Sequence, residues 1–321
     1  MCTSLCVRLE NTGKGILFGR SMDIESHFGE QVVITPRTYP FHFRCLPDLE
    51  THYAIIGTAA VAEGYPLYAD AMNEKGVCMA GLHFPGNAVY VSPCGFARDD
   101  KRVAPFELIP YLLGTCASVA EVKEALGRVI ISDIHFSREI ANTPLHWHVA
   151  AADGGVILES TAEGLRVYDD RVGVLTNNPP YPYHMAHLHR YDGLSSAPPS
   201  LSHRKRPTSV GETYDLGLGM VGLPGDYTSP ARFVRCATLR RLTDWDRLSR
   251  EAAVGQFFRV LGAVSPPAGC VRTPQGAAHA TVYTCCMDTE ALSYTVLRAE
   301  RITPETVTLD EDSCRGTALR L

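Results

Sequence analysis

Met1-Cys2-Thr3-Ser4-Leu5-Cys6-Val7-Arg8-Leu9-Glu10 opens the chain, Asn11-Thr12-Gly13-Lys14-Gly15 turns it, and Ile16-Leu17-Phe18-Gly19-Arg20-Ser21-Met22-Asp23 runs back. Thr3 to Glu10 is β-rich, the middle is turn chemistry, and Ile16 to Met22 is strand-like again. The stretch therefore predicts a β-hairpin. A hairpin returns Arg20 and Asp23 to the start of the chain, beside Cys2.

Outward from this hairpin, more strands follow. Gln31 to Thr35 stops at Pro36, and His52 to Val61 and Val77 to Leu82 are short apolar runs. Asn73-Glu74-Lys75-Gly76 reads as a turn before the last of these. Ala104 to Leu113 is helical, and Ser118 with Glu121 forms a capping box that opens a helix over Val119 to Val129. His146 to Ala152, Val156 to Ser160, Leu165 to Asp169 and Val172 to Thr176 follow at short spacing and predict an antiparallel meander. Residues 192–211 are rich in Ser, Pro and Gly and read as a long loop. Helices are expected over 231–244 and 248–263. Ala280 to Met287 and Ser293 to Arg298 form a hairpin across Asp288-Thr289-Glu290-Ala291. Strands and helices come in blocks rather than in βαβ alternation, so the expected class is α+β, with antiparallel sheets covered by helices. No repeat or linker divides the chain, which reads as one domain over 2–321.

With 45% apolar and 20% charged residues, the 321-residue chain has the composition of a globular protein, which excludes wholesale disorder. No apolar run approaches the roughly 18 residues of a membrane helix, so no membrane partner is expected. The net charge is −5 and no long basic block occurs, which speaks against nucleic acid. His203-Arg204-Lys205-Arg206 is short and reads as solvated loop. The N-terminus lacks a secretory signal. Most of the eleven cysteines are then expected to be free thiols in a reducing compartment, the cytoplasm. Cys2/Cys6 and Cys285/Cys286 lack zinc-ribbon spacing, and His146, His148, His184, His187 and His189 read as structural or surface residues, so no metal and no cofactor is expected.

Cys2 stands apart by position. Removal of Met1 would leave it carrying a thiol and a free α-amine on one residue. The amine's reference pKa is about 7.7–8.0 and the thiol's about 8.5. One residue would hold nucleophile and base, as in N-terminal nucleophile enzymes. Arg20 could lower the thiol pKa through its charge, and Asp23 could orient the amine. Read from spacing alone, both are equally a charged pair at a strand end.

Six stretches, in order, carry a resemblance: Met1-Cys2-Thr3; Phe18-Gly19-Arg20-Ser21-Met22-Asp23; Tyr68-Ala69-Asp70-Ala71-Met72-Asn73-Glu74-Lys75-Gly76; Ala80-Gly81-Leu82-His83-Phe84-Pro85-Gly86; Leu175-Thr176-Asn177-Asn178-Pro179; and Gly222-Leu223-Pro224-Gly225-Asp226 continuing to Ser229-Pro230-Ala231-Arg232-Phe233-Val234-Arg235. Together the chain resembles the choloylglycine hydrolases, the family of bile salt hydrolases and penicillin V acylases. The resemblance implies a four-layer αββα sandwich and hydrolysis of a linear amide by an N-terminal cysteine. It implies Cys2 as nucleophile and base, Arg20 and Asp23 beside it, Asn177 on the tetrahedral intermediate, and Arg232 as a second active-site arginine. It also implies a homotetramer assembled through the 192–211 insertion.

His83 departs from the pattern, since bile salt hydrolases resemble Gly-Leu-Asn-Phe-Pro-Gly there and penicillin V acylases often carry Tyr. A neutral imidazole can donate one N–H to an oxyanion, in a pH-dependent way. The acyl pocket should be apolar, and the resemblance points to Met22, Ile24 and Phe28 and, in a following loop, Tyr65 and Leu67. The leading substrate is a glycine- or taurine-conjugated bile salt. Penicillin V or another N-acyl amide is the alternative. A thiol redox or metal-binding protein and a non-catalytic binding protein are the readings from other classes.

Overall fold

The computed structural model describes residues 1–9, 15–93, 101–198 and 216–321. The 11–14 turn, most of the 192–211 loop and the 203–206 basic cluster lie outside the described residues. The strands are β1 (Cys2–Arg8), β2 (Ile16–Ile24), β3 (Gln31–Thr35), β4 (Ile55–Ala62), β5 (Tyr65–Asn73), β6 (Cys78–His83), β7 (Arg102–Val103) and β8 (Ile130–Ile131) in the first half. The second half has β9 (Leu145–Ala151), β10 (Gly154–Thr161), β11 (Gly164–Asp169), β12 (Val174–Leu175), β13 (Val271–Arg272), β14 (Ala278–Asp288), β15 (Ser293–Arg298) and β16 (Glu305–Thr308). The helices are α1 (Leu108–Thr115), α2 (Val119–Leu126), α3 (Tyr181–Leu188), α4 (Ser229–Leu242) and α5 (Arg250–Gly262).

Two antiparallel sheets face each other. One runs β12-β1-β2-β14-β15-β16, with β13 on the edge of β14, and the other runs β11-β10-β9-β6-β5-β4-β3. α4 and α5 cover the outer face of the first, and α1 and α2 cover the second. The α+β class and the four-layer αββα order are as expected. Sheet faces explain the layering: a two-faced strand that buries both sides needs a sheet on one side and a helix on the other. Leu5, Phe18, Phe233 and Phe257 fill the core on the first sheet. Val33, Met79, Leu112 and Trp147 fill the second.

The structure corrects four local readings. Tyr65–Asn73 is a strand rather than the expected loop, and the expected turn after Asn73 is present; Pro66 and the buried Asp70 interrupt the apolar alternation that marks a strand. Tyr181–Leu188 is a helix whose Pro182 and aromatic and histidine residues carry weak helix propensity. Glu305–Thr308 adds an edge strand. The fourth run of the predicted meander leaves it: Val174–Leu175 crosses to the other sheet and pairs with β1, Ser4 opposite Leu175. That crossing delivers the residues after Leu175 to the start of β1. Helix ends agree with cap chemistry: Thr228 caps α4 and Ser249 caps α5, each accepting a backbone N–H.

Candidate active site

β1 and β2 pair with Cys2 opposite Met22 and Ser4 opposite Arg20, so the hairpin returns Arg20 and Asp23 to the terminus as expected. Alternation then sorts the side chains. Cys2, Arg20 and Met22 point between the sheets. Thr3, Ser21 and Asp23 point toward the helical layer. Cys2 lies at the strand end, where the two faces meet.

The Arg20 guanidinium crosses to the opposite sheet. Its Nη1 donates to the Gly81 carbonyl at 2.6 Å and its Nη2 approaches the Met22 sulfur at 3.4 Å. Burial opposes its charge, but Cys2, Tyr283 and Asp70 outweigh that and raise its pKa. A buried, permanent cation thus stands in the same cavity wall as the Cys2 thiol. Asp70 is the countercharge behind it. Its carboxyl accepts from the Tyr283 and Tyr294 hydroxyls, both at 2.5 Å, and burial raises its pKa.

On the other face, Asp23 accepts from Thr281 Oγ1 at 2.6 Å and from Ser21 Oγ at 3.3 Å. A β-bulge between Thr281 and Tyr283 sets this up: it places Thr281 opposite Asp23 and Tyr283 opposite Met22, so both reach their partners. Asp23 meets Met1 through its backbone. Its N–H donates to the Met1 carbonyl at 3.0 Å and its C=O accepts from the Met1 amine at 2.6 Å. The amine's pKa is lowered, chiefly by burial.

Asn177 joins the parts. Its Oδ1 accepts from the Cys2 backbone N–H and from Arg232 Nη2, each at 2.7 Å, and its Nδ2 donates to the His83 carbonyl at 2.7 Å. A primary amide carries two N–H bonds; the carbonyl takes one. Ser229 and His184 hold the Asn177 backbone, at 2.9 and 2.8 Å. Arg232, buried, also donates to the Cys2 carbonyl and to Thr3 Oγ1, which ties α4 to the strand end. Burial lowers the pKa of this guanidinium. The five expected catalytic residues, Cys2, Arg20, Asp23, Asn177 and Arg232, therefore converge.

A cavity of about 620 Å³ opens in front of Cys2. Met22, Ile24, Phe28, Leu67 and His83 line it. Tyr65 does not: it packs behind the wall on Phe106 and Phe136, with ring centroids 5.7 and 5.9 Å away. Residues that sequence reading missed complete the lining, among them Ile109, Phe136, Trp147, Glu25 and His279. No local pattern marks them, because they come from five separate segments. The His83 imidazole has a lowered pKa, from burial first and the nearby terminal amine second.

His146 and His148 are buried and structural. His148 links Ser4 Oγ at 2.7 Å to Asp170 at 3.0 Å, a serine–histidine–aspartate chain in type. Ser4 is wholly buried between the sheets, so no substrate reaches it and the chain ties the sheets together. Among the described residues no group of three His, Cys, Asp or Glu is placed to hold a metal ion, and no helix is long and apolar enough to cross a membrane.

A family model for linear amide C–N hydrolases of the choloylglycine hydrolase family matches residues 2–315. The chain is 42% identical to a bile salt hydrolase/transferase from Lactiplantibacillus plantarum, over 90% of this chain and 86% of that one. It superposes on a variant of conjugated bile acid hydrolase from Clostridium perfringens with a TM-score of 0.89 at 32% identity, covering 100% of this chain and 96% of that one. Penicillin V acylase from Agrobacterium tumefaciens shares the fold, with a TM-score of 0.76 at 21% identity over 99% and 90% of the two chains.

Proposed function

Because the chain belongs to the choloylglycine hydrolase family of linear amide C–N hydrolases, we propose that it deconjugates glycine- or taurine-conjugated bile salts, with Cys2 as the nucleophile. Removal of Met1 frees the Cys2 amine. That amine takes the thiol proton, and sulfur attacks the amide carbonyl. Asn177 holds the developing oxyanion with its second N–H, and His83 adds a donor from the cavity side. Arg20 stabilises negative charge at sulfur, Asp23 orients the freed amine, and Arg232 fixes Asn177 and the Cys2 backbone. The amine passes its proton to the leaving nitrogen, the C–N bond breaks, and water cleaves the thioester to release the acid.

The observation that carries this reading is the Cys2–Asn177–Arg232 cluster, with Cys2 in the wall of an apolar cavity. Its volume falls within the roughly 300–1,000 Å³ of ligand pockets. Met22, Ile24, Phe28 and Leu67 present aliphatic and aromatic surface suited to the face of a steroid. The named relatives point the same way. Hydrolysis of glycocholate, taurocholate and penicillin V, measured side by side, tests it. Turnover of the two bile salts well above penicillin V is expected, and the reverse order would make the chain an acylase of the alternative kind. We also place the enzyme in the cytoplasm as a homotetramer. Cys2, Cys6, Cys78, Cys116, Cys236, Cys270, Cys285, Cys286 and Cys314 are free thiols, which suits a reducing compartment. Light scattering of the purified protein tests the assembly.

A further inference from the structure

His279 enters the cavity from the start of β14. Its Nδ1 lies 3.5 Å from the Met1 amine and its Nε2 lies 3.2 Å from Glu25 Oε1. Glu25, His83 and His279 line the same cavity as the apolar wall of Met22, Ile24 and Phe28. An amide substrate has two ends. Its acyl group takes the apolar wall, where a charged terminus would lose its water with nothing to replace it. The substituent on nitrogen ends, in a conjugate of an anionic amino acid, in a charge that needs polar partners, and Glu25, His83 and His279 are polar groups in the lining of this cavity.

We infer that His279 is the specificity-determining residue for the leaving amine: His279 reads a carboxylate or sulfonate at the end of that amine, and Glu25 sets its aim. This rests on the reading above, that the substrate is an amide of an anionic amino acid. The charged and titratable groups around His279 come from each neighbouring element. β2 and its end supply Asp23 and Glu25, Met1 supplies the terminal amine until it is removed, and β6 supplies His83. β13, paired on the remaining edge, sets Val271 opposite His279 and Arg272 next to it. Burial is the first cause that lowers the His279 pKa, and the amine of Met1 adds to it while Met1 is attached; Glu25 and Asp23 pull the other way. The imidazole is therefore mostly neutral at pH 7 and gains its proton as pH falls. Preference for an anionic leaving amine should rise in the same direction.

The test compares kcat/KM for glycocholate and for its neutral primary amide, cholylglycinamide, between pH 5 and 8. The readout is the anionic-to-neutral ratio, so any loss common to both substrates cancels. His279→Ala should lower the ratio at acid pH by about tenfold, the scale of one charge-assisted hydrogen bond, and mainly through KM. His279→Arg should keep the preference and make it independent of pH. Glu25→Gln, at a half-exposed position that tolerates the change, should raise the ratio. Ratios unchanged from wild type in both the His279→Ala and Glu25→Gln variants would overturn the assignment while leaving the bile-salt reading intact. Failure of the wild type to cleave either compound would instead overturn the bile-salt reading.

Discussion

Cys2 is 2% exposed, and its backbone N–H is spent on Asn177. While Met1 is attached, that nitrogen is an amide and cannot act as a base. Intact-mass measurement of the purified enzyme should therefore show loss of one methionine, and an active enzyme that retains Met1 would exclude self-activation. Cys2→Ser and Cys2→Ala should each abolish turnover and leave the circular dichroism spectrum unchanged, because sulfur's nucleophilicity is what cleaves an unactivated amide. His83 carries a different expectation. His83→Ala should lower kcat by about 10²–10³ with little change in KM, the usual loss of one oxyanion donor. His83→Asn should recover much of that loss. The lowered pKa of His83 puts its limb in the pH–rate profile below the ordinary histidine value of about 6.5. That limb should vanish in the Asn variant, and an unchanged profile would show that the imidazole does not serve the oxyanion.

At the scale of elements, the site depends on how closely β2 lies against β14. A Cβ placed on Gly19 would sit 2.0 Å from the Cys285 carbonyl oxygen and 2.7 Å from its carbon. These are backbone atoms of the paired strand and cannot swing aside. Gly19→Ala should therefore force the strands apart and destabilise the protein by about 1–3 kcal/mol or more, as overpacking does. The urea midpoint should fall accordingly, and an unchanged midpoint would mean that the strands give way freely. The β2–β14 contact also carries the bulge that aims Thr281 at Asp23 and Tyr283 at Asp70. A looser pairing would disturb both charged partners of the site, so activity should fall with stability in this variant.

At the scale of the whole molecule, polar side chains cross between the two sheets and fix their separation. Thr58 meets Tyr294 at 2.6 Å, Tyr294 and Tyr283 meet Asp70, Arg20 meets Gly81, and Ser4 reaches Asp170 through His148. Buried groups of this kind stabilise only while every partner is present. Burial pushes the Asp170 carboxyl up, but the His148 hydrogen bond and charge and the backbone N–H groups of Gly173 and Val172 bring the net pKa below 3.8. A depressed carboxylate contributes stability that is full above its unfolded-state value and is lost as pH falls through the lower folded value. Thermal melts of the wild type should therefore drop as pH falls below about 4. Asp170→Asn should be less stable at pH 7 and should lose part of that acid dependence. Equal acid slopes in the two proteins would show that another carboxylate dominates.

The sequence by itself determined the hairpin, the α+β order, the caps of α2 and the class of chemistry. The first three rest on neighbours in the chain: alternation, turn residues and a capping box; the class of chemistry rests on the ordered motifs that carry the family resemblance. The motifs also named Cys2, Arg20, Asp23, Asn177 and Arg232. The tertiary structure decided what joins them. Asn177 reaches Cys2 only because Val174–Leu175 leaves its meander for the other sheet, a pairing that no local pattern encodes. Tyr65 falls behind the cavity wall, held by packing on Phe106 and Phe136, and Leu67 lies on it; the buried Asp70 of their strand hides its β pattern in the sequence. His279 and Glu25 meet at the cavity because β14 lies beside β2, more than 250 residues away in sequence, with a bulge between Thr281 and Tyr283 setting the register. Local physics sets which residues can do chemistry, and long-range strand pairing sets which of them meet.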